Sequence, residues 1–413
     1  MENFNELLKK YADFIVRVGV NPQPGQTLII RCSLEAAPLA RLCVRSAFEA
    51  GARDVQVDWN DNAVSRIRME LGSEEALTDF KPYQLRRYLD YAESEGSVCV
   101  LHLIADDPEV YAGLDSAKIS RVNAANRKFM APWREYTMND RVQWSIAAMP
   151  SAPWAKKMFP DLDTDAAIEK LWQLIFDVCR VTGGDPVGEW RAHLDRLMTL
   201  RDKMNAFDLE SVHFKSSNGT DLTVGLADKA SWESAGSRNE KGVEFLPNIP
   251  TEEVFTAPHK DKVNGVVYGT KPYVFNGQLI KGFHVTFKDG RVVEHGADEG
   301  AELLGRLLDT DEGARSIGEV ALVPASSPIN RSGALFYSTL FDENAAYHIA
   351  FGASYPGTTE NGTRLSKDEL LARGMNQSAI HEDVMVGAED SHITGKCRDG
   401  RTVELFRDGV WVL

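Results

Sequence analysis

Apolar residues recur at two different periods along this chain, and the change of period divides it. Leu7, Leu8, Tyr11, Phe14, Ile15 and Val18 follow the spacing of one helix face. The apolar run over 27–32 reads as a buried strand, followed by a helix over 35–50 and a strand over 54–59. Further strands are expected over 97–104 and 142–148, with helical stretches between. Strands alternating with helices predict a mostly parallel sheet with helical crossovers. Ile168, Leu171, Trp172, Ile175, Phe176 and Cys179 stripe another helix, and Trp190, Leu194, Leu197 and Met198 stripe the next. Gly183, Gly184 and Gly188 fall between those stripes and read as a helix-to-helix turn, not a phosphate cradle.

Near Phe207 the long helical patterns stop and short extended runs begin. The runs over 212–215 and 222–226 flank Asn218-Gly219, and Asn276-Gly277, Asp289-Gly290, Asp399-Gly400 and Asp408-Gly409 mark further turns. Asx-Gly between alternating runs signals hairpins, because it tolerates the positive φ of tight turns. One helix, over 298–308, is carried by Leu303, Leu304, Leu307 and Leu308. The expected fold is α/β in two domains. An N-terminal α/β domain with a mostly parallel sheet spans 1–207, and a C-terminal mixed α+β domain rich in hairpins spans 208–413.

Composition narrows the function classes. The apolar share of 43% and charged share of 26% in 413 residues are those of an ordinary globular protein. A formal net charge of -15 argues against a nucleic-acid partner, whose phosphates need a basic footprint. The longest apolar run, 98–105, is broken by His102 and falls far short of a membrane span. Glu2, Glu6, Lys9, Lys10 and Asp13 interrupt the start, so no signal peptide is expected there. Five scattered cysteines without Cys-x-x-Cys spacing point to a reducing, cytoplasmic location. No Gly-x-Gly-x-x-Gly follows the first strand and no Walker sequence occurs, so nucleotide binding is not supported. His102 and His193 read as hydrogen-bonded core or surface imidazoles, and Trp144, Trp154 and Trp172 as core. The first half therefore offers no catalytic candidate.

The chemistry-bearing residues collect in the second half. In an extended strand His381 and Asp383 project from one face, with Glu382 on the other. Neutral nitrogen beside ionised oxygen suits a divalent cation, although such a pair also serves as a surface hydrogen bond. Glu252 and Glu253 lie in a short segment between Pro250 and Pro258, which fixes their direction or makes a solvated edge strand. Glu319 opens an apolar strand, where a carboxylate is costly unless paired or bound to a cation. His348 enters another apolar strand, and Gly352 lets something approach its backbone closely. Taken together, this inventory suits two cations. His259, His284, His295 and His392 read as surface residues, and His-Glu-x-x-His is absent.

Four motifs then carry a resemblance: Glu253-Val254-Phe255-Thr256, Gly318-Glu319, His348 to Gly352 with Tyr355, and His381-x-Asp383. In this order the chain resembles, over nearly its whole length, the aminopeptidase T and aminopeptidase S family of two-metal exopeptidases. The resemblance implies that Glu253, Glu319, His348, His381 and Asp383 bind two divalent ions, Co²⁺, Zn²⁺ or Mg²⁺, with Glu319 as bridge. It also implies a catalytic group of Tyr355, Glu319 and Glu253, peptide substrates of broad preference, and a cytoplasmic homodimer with the first domain as scaffold and dimerisation domain. Chemically, a cation pair lowers the pKa of a shared water, and a phenol such as Tyr355 donates to an oxyanion. The proton acceptor is left open among Glu252, Glu253 and Glu319. A reader of the substrate's amino group is left open among Glu382, Glu343, Asp342 and a metal. The rivals are another two-metal hydrolase, a deacylase or phosphoesterase, and a non-catalytic protein with structural metals.

Overall fold

The computed structural model describes residues 3–94, 96–105, 107–275 and 278–413. The expected turn at Asn276-Gly277 lies outside the described residues. The chain divides into two compact units, Met1–Ala192 with Gly236–Pro250, and His193–Ala235 with Thr251–Leu413.

In the first unit four parallel strands stand in the order Asp54–Asn60, Thr27–Ser33, Val98–Ile104, Trp144–Ala148. Helix Ala37–Glu49 makes the crossover between the first two strands of the chain, as the alternating pattern requires. The opening helix Phe4–Phe14 continues as a wider π turn over Ile15–Val20, and Tyr11, Phe14, Ile15 and Val16 are fully buried. Phe14 stacks on Trp190 at 4.9 Å, while Trp172 and Trp154 are core residues. Gly183 and Gly184 do join two helices, Thr164–Val178 and Pro186–Ala206, while Gly188 lies in the first turn of the second. His102 pairs in register with Arg31 on the central strand; burial, and then that guanidinium, push its pKa down to about 3. The segment 236–250 returns to this unit, where Leu246 donates its amide to Gly19 and Asn248 bridges to Ile146.

The second unit holds an eight-stranded antiparallel sheet and a five-stranded one. The turns at Asn218-Gly219, Asp289-Gly290, Asp399-Gly400 and Asp408-Gly409 each join neighbouring strands of the larger sheet. Helix Ala301–Leu308 starts three residues later than its apolar stripe suggests, because the amides of Asp298 and Glu299 are both given to the Lys281 carbonyl. The five-stranded sheet runs His381–Met385, His348–Gly352, Ile317–Leu322, Val254–Thr256, Glu233–Ser234, each strand antiparallel to its neighbour. Its central strand Ile317–Leu322 is buried throughout, Glu319 included. Among the described residues, no helix is long and apolar enough to cross a membrane.

Candidate metal centre

Strand register brings the sequence candidates together. Glu319 lies opposite Ala350, and Ala350 opposite Asp383, so the two acids flank an alanine in one row across three strands. Residues directly opposite share a face, and so do residues two apart. His348, opposite Ala321, and His381, opposite Gly352, therefore project from that same face. Phe255 lies opposite Ala321, which turns Glu253, two residues earlier, the same way. Ala321 and Ala350 supply a floor with almost no side chain, ringed by three carboxylates and two imidazoles.

Two glycines are needed to hold this register. A Cβ at Gly318 would stand 2.3 Å from the Ala353 carbonyl, so only glycine fits beside the irregularity between Ile317 and Glu319. Gly352 has φ +101°, and a Cβ there would meet the Ile380 carbonyl at 2.2 Å. It is the backbone before His381 that approaches so closely.

The ligand atoms form two overlapping groups, Glu253–Glu319–His348 and Glu319–His381–Asp383, each within 4.8 Å. His348 Nε2 lies 3.4 Å from Glu253 Oε2, 3.6 Å from Glu319 Oε1 and 3.9 Å from Asp383 Oδ1. His381 Nε2 lies 3.7 Å from Glu319 Oε2 and 3.4 Å from Asp383 Oδ1. Most of these separations are long for hydrogen bonds. They match the roughly 3.3 Å edge expected between ligands that each sit about 2.0–2.1 Å from a tetrahedral ion. Asp383 Oδ1 is buried and accepts no hydrogen bond among the described residues. Each imidazole has its Nδ1 against a backbone carbonyl, Ala353 at 2.7 Å for His381 and Ala346 at 3.3 Å for His348. A carbonyl only accepts, so both Nδ1 atoms carry the proton and both Nε2 atoms face the carboxylates, the tautomer a metal ligand needs. The donor set of carboxylate oxygens and imidazole nitrogens fits divalent cations.

Electrostatics point the same way. Burial raises the pKa of the Glu319 carboxyl, against the pull of His348 and His381. Burial works against charge on His381, but Asp383 and Glu319 outweigh it and lift the imidazole to about 10. His348 behaves alike: burial is overcome by Glu253 and Glu319, leaving it well above the usual range. Asp383 is held below the usual range because His381 overrides the cost of its burial. Protonated imidazoles thus supply positive charge that the carboxylates demand, and a cation can take that place. Tyr355 lies beside the group, its ring 4.6 Å from that of His381 and 6.3 Å from that of Phe255. Burial, then the charges of Glu319 and Asp383, raise its phenol well above 10, so it remains a donor.

Other candidates are taken up elsewhere. Glu252 is buried with its carboxylate 3.6 Å from His193 Nε2, which also lies 2.9 Å from the Thr251 carbonyl. His193 is buried and hydrogen-bonded, as its reading as a hydrogen-bonded imidazole allows; the helical stripe does not reveal that its partners are Thr251 and Glu252, far along the chain. Asp342 accepts the amides of Phe336 at 2.8 Å and Ser338 at 3.1 Å, a structural role. Glu382 turns to the other face, where its charge acts on Tyr273. His259, His284 and His295 are half-buried rather than surface residues, and with exposed His392 they stand outside both ligand groups.

Comparison with known proteins agrees with this geometry. Residues 4–411 match the family described as thermophilic metalloprotease (M29). Aminopeptidase 2 of Geobacillus stearothermophilus is 44% identical over 411 residues, covering 100% of this chain and 99% of that protein. Aminopeptidase T of Thermus aquaticus is 40% identical over 413 residues, with 100% of both chains covered. The solved structure of wild-type AmpT from Thermus thermophilus superposes with a TM-score of 0.92 at 37% identity, covering 99% of this chain and 100% of that one.

Proposed function

The chain belongs to the thermophilic metalloprotease (M29) family and is a metallo-aminopeptidase, and we propose that it releases N-terminal residues from peptides, with broad preference, at a pair of divalent ions. Glu253, Glu319, His348, His381 and Asp383 would hold the pair, Glu319 being common to both donor groups. The observation that carries this reading is the direction of the Glu319 carboxylate: Oε1 faces His348 and Oε2 faces His381. One side chain thus serves two ligand groups, as a bridge does. On the resemblance, the ions are cobalt, zinc or magnesium. The domain over 208–413 is the catalytic one, the domain over 1–207 is scaffold and dimer contact, and the working form is a cytoplasmic homodimer.

When bound, such ions supply Lewis acidity and an acidified water. The chain's own residues do the rest. The Ala346 and Ala353 carbonyls orient the two imidazoles through Nδ1. Tyr355, kept protonated, donates to the oxyanion that forms at the scissile carbonyl. With Glu252 engaged by His193, the proton of the attacking water goes to Glu253 or Glu319. Metal analysis coupled to hydrolysis of unblocked and N-acetylated peptides tests the reading. Two ions per chain and cleavage of the unblocked peptide alone are expected. Equal cleavage of both peptides, or full activity in metal-free protein, would overturn it.

A further inference from the structure

Tyr355 stands just past strand His348–Gly352, whose pairing with the next strand ends where Gly352 lies opposite His381. Backbone beyond a ladder still has donors and acceptors to satisfy, and its course follows the partners they find. Here Asn376 is such a partner. It lies between helix Lys367–Ala372 and strand His381–Met385 and is only 4% exposed. Its backbone amide donates to the Ser354 hydroxyl at 3.1 Å, and its backbone carbonyl accepts the Ser354 amide at 2.9 Å. Its side-chain nitrogen lies 2.7 Å from the carbonyls of both Gly352 and Gly313, and 3.4 Å from that of Ser316. Carbonyls only accept, so the donor end of this amide faces them.

These bonds fall on both sides of Ala353. Ala353 gives its own amide to the Ile380 carbonyl at 2.8 Å, and its carbonyl receives His381 Nδ1 at 2.7 Å. The residue after Ser354 is Tyr355, whose ring lies 4.6 Å from that of His381. Two groups that serve the centre, the carbonyl orienting His381 and the Tyr355 phenol, thus ride on a short segment pinned by one asparagine. The pin is itself anchored, because Met375 is fully buried in a cluster with Ala227, Ala257 and Leu370. An aliphatic side chain at 376 would remove a donor from the buried Gly352 carbonyl, and the segment would shift to replace it.

We propose that Asn376 is a positioning residue for the hydrolysis: by pinning Gly352 and Ser354 it aims the Tyr355 phenol and presents the Ala353 carbonyl to His381. This rests on the two-ion aminopeptidase reading and adds the residue that aligns its donor. Such alignment is costly to lose. A displacement of about 1 Å can cost about 100-fold in rate, and loss of the outer partner of a metal-binding imidazole weakens the metal by about 10- to 100-fold.

The test compares wild type, Asn376→Ala, Tyr355→Phe and the double variant, by hydrolysis of leucyl-p-nitroanilide at saturating Co²⁺ and by calorimetry of Co²⁺ binding to metal-free protein. Asn376→Ala is expected to lower kcat by about 10- to 100-fold with KM changed by less than about threefold, and to weaken one Co²⁺ by about 10-fold or more while the other binds as in wild type. In the Tyr355→Phe background the same substitution should lower kcat by no more than about threefold, because the group it aims is already gone. Equal losses of kcat in the two backgrounds would overturn the proposal, as would Co²⁺ affinities unchanged in Asn376→Ala. Should Asn376→Ala not fold, Ser354→Ala takes its place in the same cycle, and losses that simply multiply with those of Tyr355→Phe would overturn the proposal equally. Wild type that binds no Co²⁺, or Tyr355→Phe as active as wild type, would instead count against the reading of the centre on which the proposal stands.

Discussion

Replacing Glu319 by glutamine is the sharpest perturbation of the centre, because the volume is nearly unchanged while the only carboxylate common to both ligand groups is lost. Glu319 is 4% exposed in a fully buried strand, so its surroundings cannot rearrange to bring in another anion. Its oxygens stand 3.6 and 3.7 Å from the two Nε2 atoms. At about 4 Å and an effective dielectric of about 20, one pair of unit charges interacts by about 4 kcal/mol. A divalent ion near either oxygen loses at least that much, which corresponds to about three decades in affinity at about 1.4 kcal/mol per decade. The strand itself should persist, since burial already raises the pKa of this carboxyl and a neutral amide escapes that penalty. The expected result is a variant with the circular dichroism of wild type, at most one ion per chain, and hydrolysis of leucyl-p-nitroanilide down by about three orders of magnitude or more at metal concentrations that saturate wild type. Two ions per chain with wild-type turnover would refute the bridging role and the two-ion proposal with it.

Three further outcomes follow from the same geometry. Exhaustive chelation should abolish activity, and added Co²⁺ or Zn²⁺ should restore it; activity that survives in protein shown by elemental analysis to be metal-free counts against the whole scheme. Ala350→Val puts two methyl groups between Glu319 and Asp383, so metal content should collapse while unfolding costs only the about 1–3 kcal/mol of an overpacked core; a valine variant with full metal content would show that the alanine floor is not needed. His102 binds its proton less readily folded than unfolded, so its contribution is present above its unfolded pKa and is lost as pH falls from about 6.5 toward about 3. In metal-free protein, wild type should lose about 1.4 kcal/mol more than His102→Phe between about pH 7.5 and 5.5, read from urea midpoints; parallel pH profiles would contradict the burial argument.

What was legible in the sequence was local. His381 and Asp383 share a face because strand side chains alternate, and that is visible in three consecutive letters. Glu319 stood out as a carboxylate opening an apolar strand, and the strand is buried on both sides of it. The Asx-Gly turns needed nothing beyond their own dihedral preferences. What was not legible required a partner distant in the chain. His193 looks like any helical histidine until Thr251 and Glu252 are placed beside it. The return of segment 236–250 to the first unit depends on the amide of Leu246 reaching Gly19, and nothing within the segment announces it. Glu343 and Asp342 are adjacent acids with the same local signal, yet one accepts two amides and the other does not.

The floor explains why so few residues suffice to specify the centre. A metal site on a sheet needs ligands around an opening, and the pleat by itself would fill that opening with side chains every second residue. Ala321 and Ala350 leave it empty, since they sit at the two positions whose neighbours across the strands are His348 and Phe255, and Glu319 and Asp383. The glycines complete the device: Gly318 accommodates the irregularity that sets Glu319 opposite Ala350, and Gly352 admits the backbone that leads into His381. Identity at the ligand positions alone would therefore not carry the chemistry into another sheet. A register slip of one residue in strand His348–Gly352 would send His348 to the opposite face and bring Ile349 or Phe351 into the row now held by Ala350. The small residues between the ligands thus constrain the site as strongly as the ligands do.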